Sequence, residues 1–153
     1  MSNKKKLRII GKILFVLYIL FLIYFLIFSE WYGREGVSVD YRYNLVLFRE
    51  IQRFWHYRDQ VGWYAMFANI FGNVLVFLPL GYFLPMASKY RSFFDTVFYS
   101  FVLSLCVEVF QLLSKVGCFD VDDLLLNTVG GALGYLIFAA HERIRRGHGK
   151  KKY

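Results

Sequence analysis

Four carboxylates and four amides lie inside or beside long apolar stretches of this chain: Glu108, Asp120, Asp122 and Asp123, with Asn69, Asn73, Gln111 and Asn127. Polar and ionisable groups in hydrocarbon are expensive to hold and mark functional positions. Carboxylates in unlike surroundings divide acid and base roles between them. With amide carbonyls beside them they also form the oxygen set that Mg²⁺ or Ca²⁺ prefers. Two kinds of chemistry are therefore open. Glu108, Asp120 and Asp123 would act as a general base or as cation ligands in a membrane-embedded enzyme working on a lipid or phosphoester, or the whole set would line a binding pocket. No hydrolase motif accompanies the carboxylates, and no histidine stands at a telling spacing from them.

For these groups to meet, the elements that carry them must be packed side by side. The 153 residues are 58% hydrophobic and 21% aromatic, with a mean hydropathy of +0.41. Such a composition is too apolar for a soluble domain of this size and points to an integral membrane protein. A spanning helix needs roughly 20 mostly apolar residues, and four stretches qualify: 9–28, 64–86, 93–113 and 124–140, the last being the shortest. The expected fold is an all-α four-transmembrane-helix bundle forming a single domain over 1–153, with a long external loop that carries an amphipathic helix. Lys4, Lys5, Lys6 and Arg8 resemble the basic region of a signal peptide, but Phe28-Ser29-Glu30 offers no small-residue cleavage site, so the first helix is read as retained. Lys12 lies near its end and can snorkel towards the headgroups.

The distribution of Lys and Arg sets the orientation. Placing the N-terminus, the 87–92 turn and the basic tail 143–153 on one side gathers thirteen of them, against six in 29–63 and at Lys115. Both termini are therefore expected in the cytoplasm, with the tail against anionic lipid. The net charge of +8 is explained by this bias, and no nucleic-acid partner is expected. Cys106 is expected to be a buried thiol and Cys118 an incidental loop thiol, since neither belongs to a disulfide or metal spacing.

This topology gathers the polar residues at one depth. Asn69 and Asn73 share a face in the outer half of the second span. Ser100, Ser104, Glu108, Gln111 and Lys115 form a stripe on the third span, and Asp120, Asp122 and Asp123 open the fourth, with Asn127 one turn deeper. The bland reading is an interhelical hydrogen-bond network, worth about 0.6 kcal/mol per contact, with Asp122 and Asp123 as helix-terminal caps. Glu108 argues for more, because a carboxylate within the membrane needs a partner, a proton or a water-filled cavity. Gly130 and Gly134 form a G-x-x-x-G pair at which another helix can approach closely. Pro79, with Gly72 and Gly81, should bend the second span. In the loop, Asn44 is expected to cap a short helix with Leu45, Phe48, Ile51 or Gln52, and Trp55 on one side and Arg49, Arg53 and His56 on the other.

Taken in order, Asn44-Leu45-x-x-Phe48, Asn69-x-x-x-Asn73 running into Phe77-Leu78-Pro79-Leu80-Gly81, Glu108-x-x-Gln111, and Asp120-x-Asp122-Asp123-x-x-x-Asn127-Thr128-x-Gly130 resemble the VanZ-like family of small bacterial membrane proteins. The resemblance covers about 44–135. It implies a bacterial plasma-membrane protein of a family whose best-known members confer low-level resistance to teicoplanin and related lipoglycopeptides without the enzymes that remodel the peptidoglycan precursor terminus. Two positions depart from the family pattern. Leu47 stands where proline is frequent, and Lys115 stands where arginine is usual, which removes a bidentate donor.

The leading functional expectation is an outward-facing pocket that binds an envelope lipid, a lipid-linked cell-wall precursor or a lipoglycopeptide. Glu108, Gln111, Asp123 and Asn127 would form its floor, Asn69 and Asn73 its wall, and Asn44, Arg49, Arg53 and Asp122 its mouth. The alternative is the membrane-embedded enzyme, with Mg²⁺ or Ca²⁺ as its candidate cofactor. A transport subunit is a third reading, disfavoured because the charges stay on one side. The oligomeric state is left open.

Overall fold

A computed structural model describes residues 3–28, 40–115 and 117–150. Ser29 and Glu30, the opening of the long loop and the last three residues of the basic tail lie outside the described residues. Helix α1 covers Asn3–Phe28, followed by the short strand β1 (Tyr43–Asn44), α2 (Arg49–His56), α3 (Arg58–Val61), α4 (Trp63–Ala87), α5 (Phe93–Ser114), strand β2 (Phe119–Asp120) and α6 (Val121–Lys150). Among the described residues three segments are long and apolar enough to cross a membrane: Met66–Ala87, Phe93–Ser114 and Val121–Arg146. The apolar stretch described in α1, Ile9–Tyr24, is shorter. Large apolar side chains such as Phe94, Leu75 and Leu136 stand more than half exposed around the helices. Apolar surface on that scale needs lipid or a partner to cover it.

The helices end where local chemistry ends them. Ser92 caps α5 by accepting the Asp95 amide at 3.0 Å, satisfying one of the free donors of the first turn. Lys115 closes α5 in the left-handed conformation, φ 55°. Helix α6 begins three residues before the expected fourth span and continues well beyond its end. Asp122 and Asp123 fit its first turn, where the helix dipole favours negative charge. At the far end Glu142 pairs with Arg145 and Arg146, and His141 stacks on and hydrogen-bonds Tyr82.

Contacts fix the direction of each helix. Gly11 lies against Met86 and the Tyr18 hydroxyl donates to the Val76 carbonyl at 3.0 Å, so α1 and α4 are antiparallel. Gly130 meets Val74, Gly134 meets Leu78 and His141 meets Tyr82, so α4 and α6 run parallel and form the most extensive contact in the bundle. Helix α5 returns between their ends, antiparallel to α6, with Ser104 bonded to Asn127 and the Arg91 carbonyl bonded to the Tyr135 hydroxyl. The small core of Tyr18, Leu22, Phe77 and Leu80, with Phe15, Ile19, Val76 and Leu103 around it, joins α1 and α5 to α4. One end of the bundle therefore collects Asn44, Asn73, Glu108 and Asp120 to Asp123. The other collects Lys89, Arg91, Arg143, Arg145 and Arg146.

The seam between α4 and α6 rests on absent side chains. A Cβ on Gly130 would strike the Val74 carbonyl oxygen, one on Gly134 the Leu78 carbonyl oxygen, and one on Gly81 the Gly131 carbonyl oxygen. The expected G-x-x-x-G pair does admit a neighbour, and that neighbour is α4. Gly131 faces α5 as well, where a Cβ would meet the Ser100 side chain. Because these obstacles are mostly backbone, Gly81→Ala or Gly134→Ala should destabilise the bundle by about 1–3 kcal/mol. The change would be read as a lowered thermal midpoint in detergent. Val129→Ala, at a position 41% exposed, should stay within about 0.5 kcal/mol.

Candidate functional site

The site is built from α6 outward. Asp122 is 1% exposed and its carboxylate leaves its own helix to cap another. It accepts the backbone amides of Phe48, of Glu50 at 2.8 Å and of Ile51 at 3.3 Å, which are the free donors at the start of α2. Phe48 has no side-chain cap to offer and sits in the left-handed region, φ 65° and ψ 8°. That conformation costs roughly 1–2 kcal/mol for a residue with a Cβ. The charge-assisted bonds to Asp122, each worth about 1.5–3 kcal/mol, hold it there. Helix α2 is therefore capped by a residue more than 70 positions later in the chain.

Asp120 ties the same region together. Its Oδ1 accepts the Asn44 amide at 3.1 Å and the Asp122 N–H at 2.8 Å, and its own N–H donates to Glu108 Oε2 at 2.8 Å. Asn44 Oδ1 accepts the Val46 N–H at 3.1 Å. The backbone repeats this link, because β1 and β2 pair in parallel with Tyr43 opposite Phe119 and Asn44 opposite Asp120. Asn44 thus does not cap a helix as expected. The helix starts five residues later, and the Asn44 side chain is taken up in fastening the loop to the α5–α6 junction. Asn73 donates to Asp123 between α4 and α6.

Asn127 lies one turn deeper. Its amide nitrogen donates to Ser104 Oγ at 2.9 Å, and its Oδ1 is a buried oxygen without a partner among the described residues. Deeper still, Thr96 and Ser100 on α5 are fully buried and return their hydroxyls to backbone carbonyls one turn back. Asn69 and Gln111 are half-buried and make no side-chain hydrogen bond among the described residues. Gln111 instead packs under Gly117.

Burial raises Asp120 above the ordinary carboxylate range, opposed by the bonds from the Asp122 N–H and the Asn44 amide. Glu50 is raised by burial too, with Arg53 working against it. These two carboxyls, with Glu108, Asp122 and Asp123, make one end of the bundle strongly acidic. Arg53 is ion-paired there, 2.6 Å from Glu50. Burial also pushes the Cys118 thiol up, so it is not an activated nucleophile. Cys106, expected to be buried, is exposed on α5. Among the described residues no group of three or more His, Cys, Asp or Glu side chains is placed to hold a metal ion.

Helix α2 turns other side chains outward than the loop pattern implied. Glu50, Ile51 and Phe54 face the bundle, whereas Phe48 and Trp55, grouped with Ile51 on one side by that pattern, are 46% and 58% exposed. The face differs from the loop pattern because the helix begins at Arg49 and because Glu50, drawn in under the Asp122 cap, takes an inward position. An inward set of Glu50, Ile51 and Phe54 at helical spacing is the signal that identifies this face. Outside it runs a groove of 580 Å³ lined by Arg49, Gln52, Arg53, Trp55, His56 and Tyr57, with Ile51 at its base. Arg58 lies over the rings of Trp55 and Trp63, 5.3 and 5.6 Å from their centroids. Lys115, in the place where arginine was expected, sets its ammonium 4.6 Å from the Tyr41 ring. Arg49 and Arg53 are thus carried at the surface, away from Glu108, Asp123 and Asn127.

A model of the VanZ/LLP1 family matches residues 15–142. Protein VanZ of Enterococcus faecium is 35% identical over 72 residues, a match covering 47% of this chain and 45% of that protein. The matched segment is thus less than half the length of that relative. No solved structure matches the chain.

Two outcomes are expected. Asp122→Ala should expose the amides of Phe48, Glu50 and Ile51 at a cost of about 1–3 kcal/mol. Their hydrogen exchange would accelerate roughly tenfold or more, while the α4–α6 amides remain protected. The raised carboxyls of Glu50 and Asp120 mean that the docked loop binds their protons more tightly than the undocked loop does. This contribution is complete below the ordinary carboxylate pKa and is lost as pH rises through the raised values. Protection of α2, corrected for intrinsic exchange, should therefore be greater in mild acid than at neutral pH.

Proposed function

This chain belongs to the VanZ/LLP1 family, and on that premise we propose that it is a bacterial plasma-membrane protein that lowers susceptibility to teicoplanin and related glycopeptides by engaging an anionic, lipid-bearing envelope molecule outside the membrane. In this reading α1 is a fourth crossing and both termini are cytoplasmic. The bias of Lys and Arg towards the end holding Arg91, Arg143, Arg145 and Arg146 supports that orientation.

The observation that carries the proposal is the surface of α2. Arginine and histidine rim a groove whose remaining lining is Trp55, Tyr57 and Ile51 with the amide of Gln52. Guanidinium groups suit phosphate or carboxylate oxygens, and Trp and Tyr suit the boundary between headgroup and acyl chain. The exposed rings of Trp55, Tyr57, Trp63 and Tyr64 support a position for the groove at that boundary. The ligand's chemical class is thus that of a lipid-linked cell-wall precursor or a lipoglycopeptide. Under this proposal the buried residues first expected to line a pocket have a positioning role: Glu108, Asp120, Asn44 and Asp122 hold α2, while Arg49 and Arg53 meet the ligand.

A teicoplanin-sensitive host expressing the chain should show a raised inhibitory concentration. Arg49→Gln combined with Arg53→Gln should return it to the level of the empty vector, and Asp122→Ala should do the same by releasing α2, at equal membrane abundance of all proteins. Full protection from the double arginine variant would remove the groove from the mechanism. No protection from the native chain, at verified abundance, would refute the resistance function.

A further inference from the structure

We propose that a second groove, at the opposite end of the bundle from α2, binds the phosphodiester headgroup of an anionic membrane phospholipid. It has a volume of 310 Å³ and lies between the α4–α5 turn and the last turns of α6. Arg91, Arg143 and Arg146 supply its charge, and Tyr135, Phe138 and Ala139 supply its floor.

Charge comes first. Glu142 is the acidic residue of the lining, and its carboxylate is already engaged, by Arg145 and by Arg146 at 3.1 Å. Arg91 and Arg143 have neither an ion pair nor a side-chain hydrogen bond among the described residues, so two guanidinium groups face one groove uncompensated. A planar guanidinium matches the geometry of a phosphate bearing one negative charge and can donate two parallel bonds to it.

The groove is also held in shape. The Tyr135 hydroxyl donates to the Arg91 carbonyl at 3.1 Å, fastening the turn to α6. The Tyr135 ring packs 5.6 Å from Phe93 and 6.1 Å from Phe138, and Phe138 is 8% exposed. Arg91 is thereby kept beside the arginines of α6 although it comes from a different element.

Depth selects the ligand. The groove sits where three apolar segments end together, Met66–Ala87 closing just before the turn, Phe93–Ser114 opening just after it and Val121–Arg146 ending at the rim. That is headgroup level, where a membrane surface carrying anionic lipid attracts basic residues. A lipid phosphate arrives there with its acyl chains already in the bilayer, whereas a free phosphate does not. The proposal concerns a different face from the α2 groove and stands whether or not that groove binds an envelope ligand.

Native mass spectrometry of the full chain, released from mixed phosphatidylglycerol and phosphatidylcholine, tests it. One phosphatidylglycerol should be retained about tenfold in preference to phosphatidylcholine. Arg91→Gln combined with Arg143→Gln should abolish that preference, and Lys89→Gln should keep it, since Lys89 carries the same charge at the same end outside the groove. Inorganic phosphate should not displace the lipid. Equal retention of the two lipids by the native chain, a result needing no variant, would overturn the proposal. So would an equal loss with Lys89→Gln, which would mean diffuse attraction, or displacement by phosphate, which would mean a site for free anions. The thermal midpoint of the double variant separates lost binding from lost folding.

Discussion

The polar end of the molecule depends on one carboxylate. Asp122 is almost fully buried, and a charge so placed stabilises a structure only through what it accepts. What it accepts are three amides from a helix that is otherwise poorly anchored: α2 is eight residues long and contains no fully buried residue. A helix of that length does not hold itself together in water. With Asp122 at its N-terminus it becomes a fixed feature of the surface, oriented relative to α6. Asp120 and Asn44 then secure the strand just before it, and Glu108 secures Asp120. Each residue in this sequence satisfies the next, so the network reads as a support for a surface element more than as the lining of a cavity.

The glycine seam answers a different demand. Within lipid there is no hydrophobic drive for helices to associate, and close backbone approach supplies dispersion contacts in its place. Gly81, Gly130 and Gly134 let α4 and α6 touch. This brings Asn73 within reach of Asp123 and sets the depth at which the acidic residues of α6 stand. The two devices are coupled, because α2 is positioned only as well as the α6 N-terminus that caps it.

Much of this was legible in the sequence. The apolar stretches, the polar stripe of α5 at spacings of three and four, and the glycine pair carry their meaning in local periodicity, which a linear reading recovers. Asp122 and Asp123 were recognisable as helix-terminal acids, but their partners were not, since the Asp122 cap spans more than 70 residues and no local rule specifies a helix capped from elsewhere. The role of Asn44 was misassigned for the same reason: asparagine before an amphipathic run looks like a cap, and only the β1–β2 pairing shows that its side chain is already used. The inward turn of Glu50 was hidden because a carboxylate next to exposed arginines looks like part of a solvated face. Helix α6 extends past both ends of the apolar stretch 124–140 because helix dipole and ion pairs let it run through the charges that bound that stretch.

The β1–β2 pairing also bears on how the molecule is assembled. Glu108 reaches Asp120 across a connection of 12 residues, so the α5–α6 hairpin can satisfy that carboxylate by itself as it enters the bilayer. Asp122 and Asn44 have no such local solution, and their bonds close a loop that contains α2, α3, α4 and α5. Closing so large a loop is entropically slow. The surface that carries α2 is therefore the last part to become ordered, and an incompletely inserted chain is distinguished from a finished one by free amides at the start of α2.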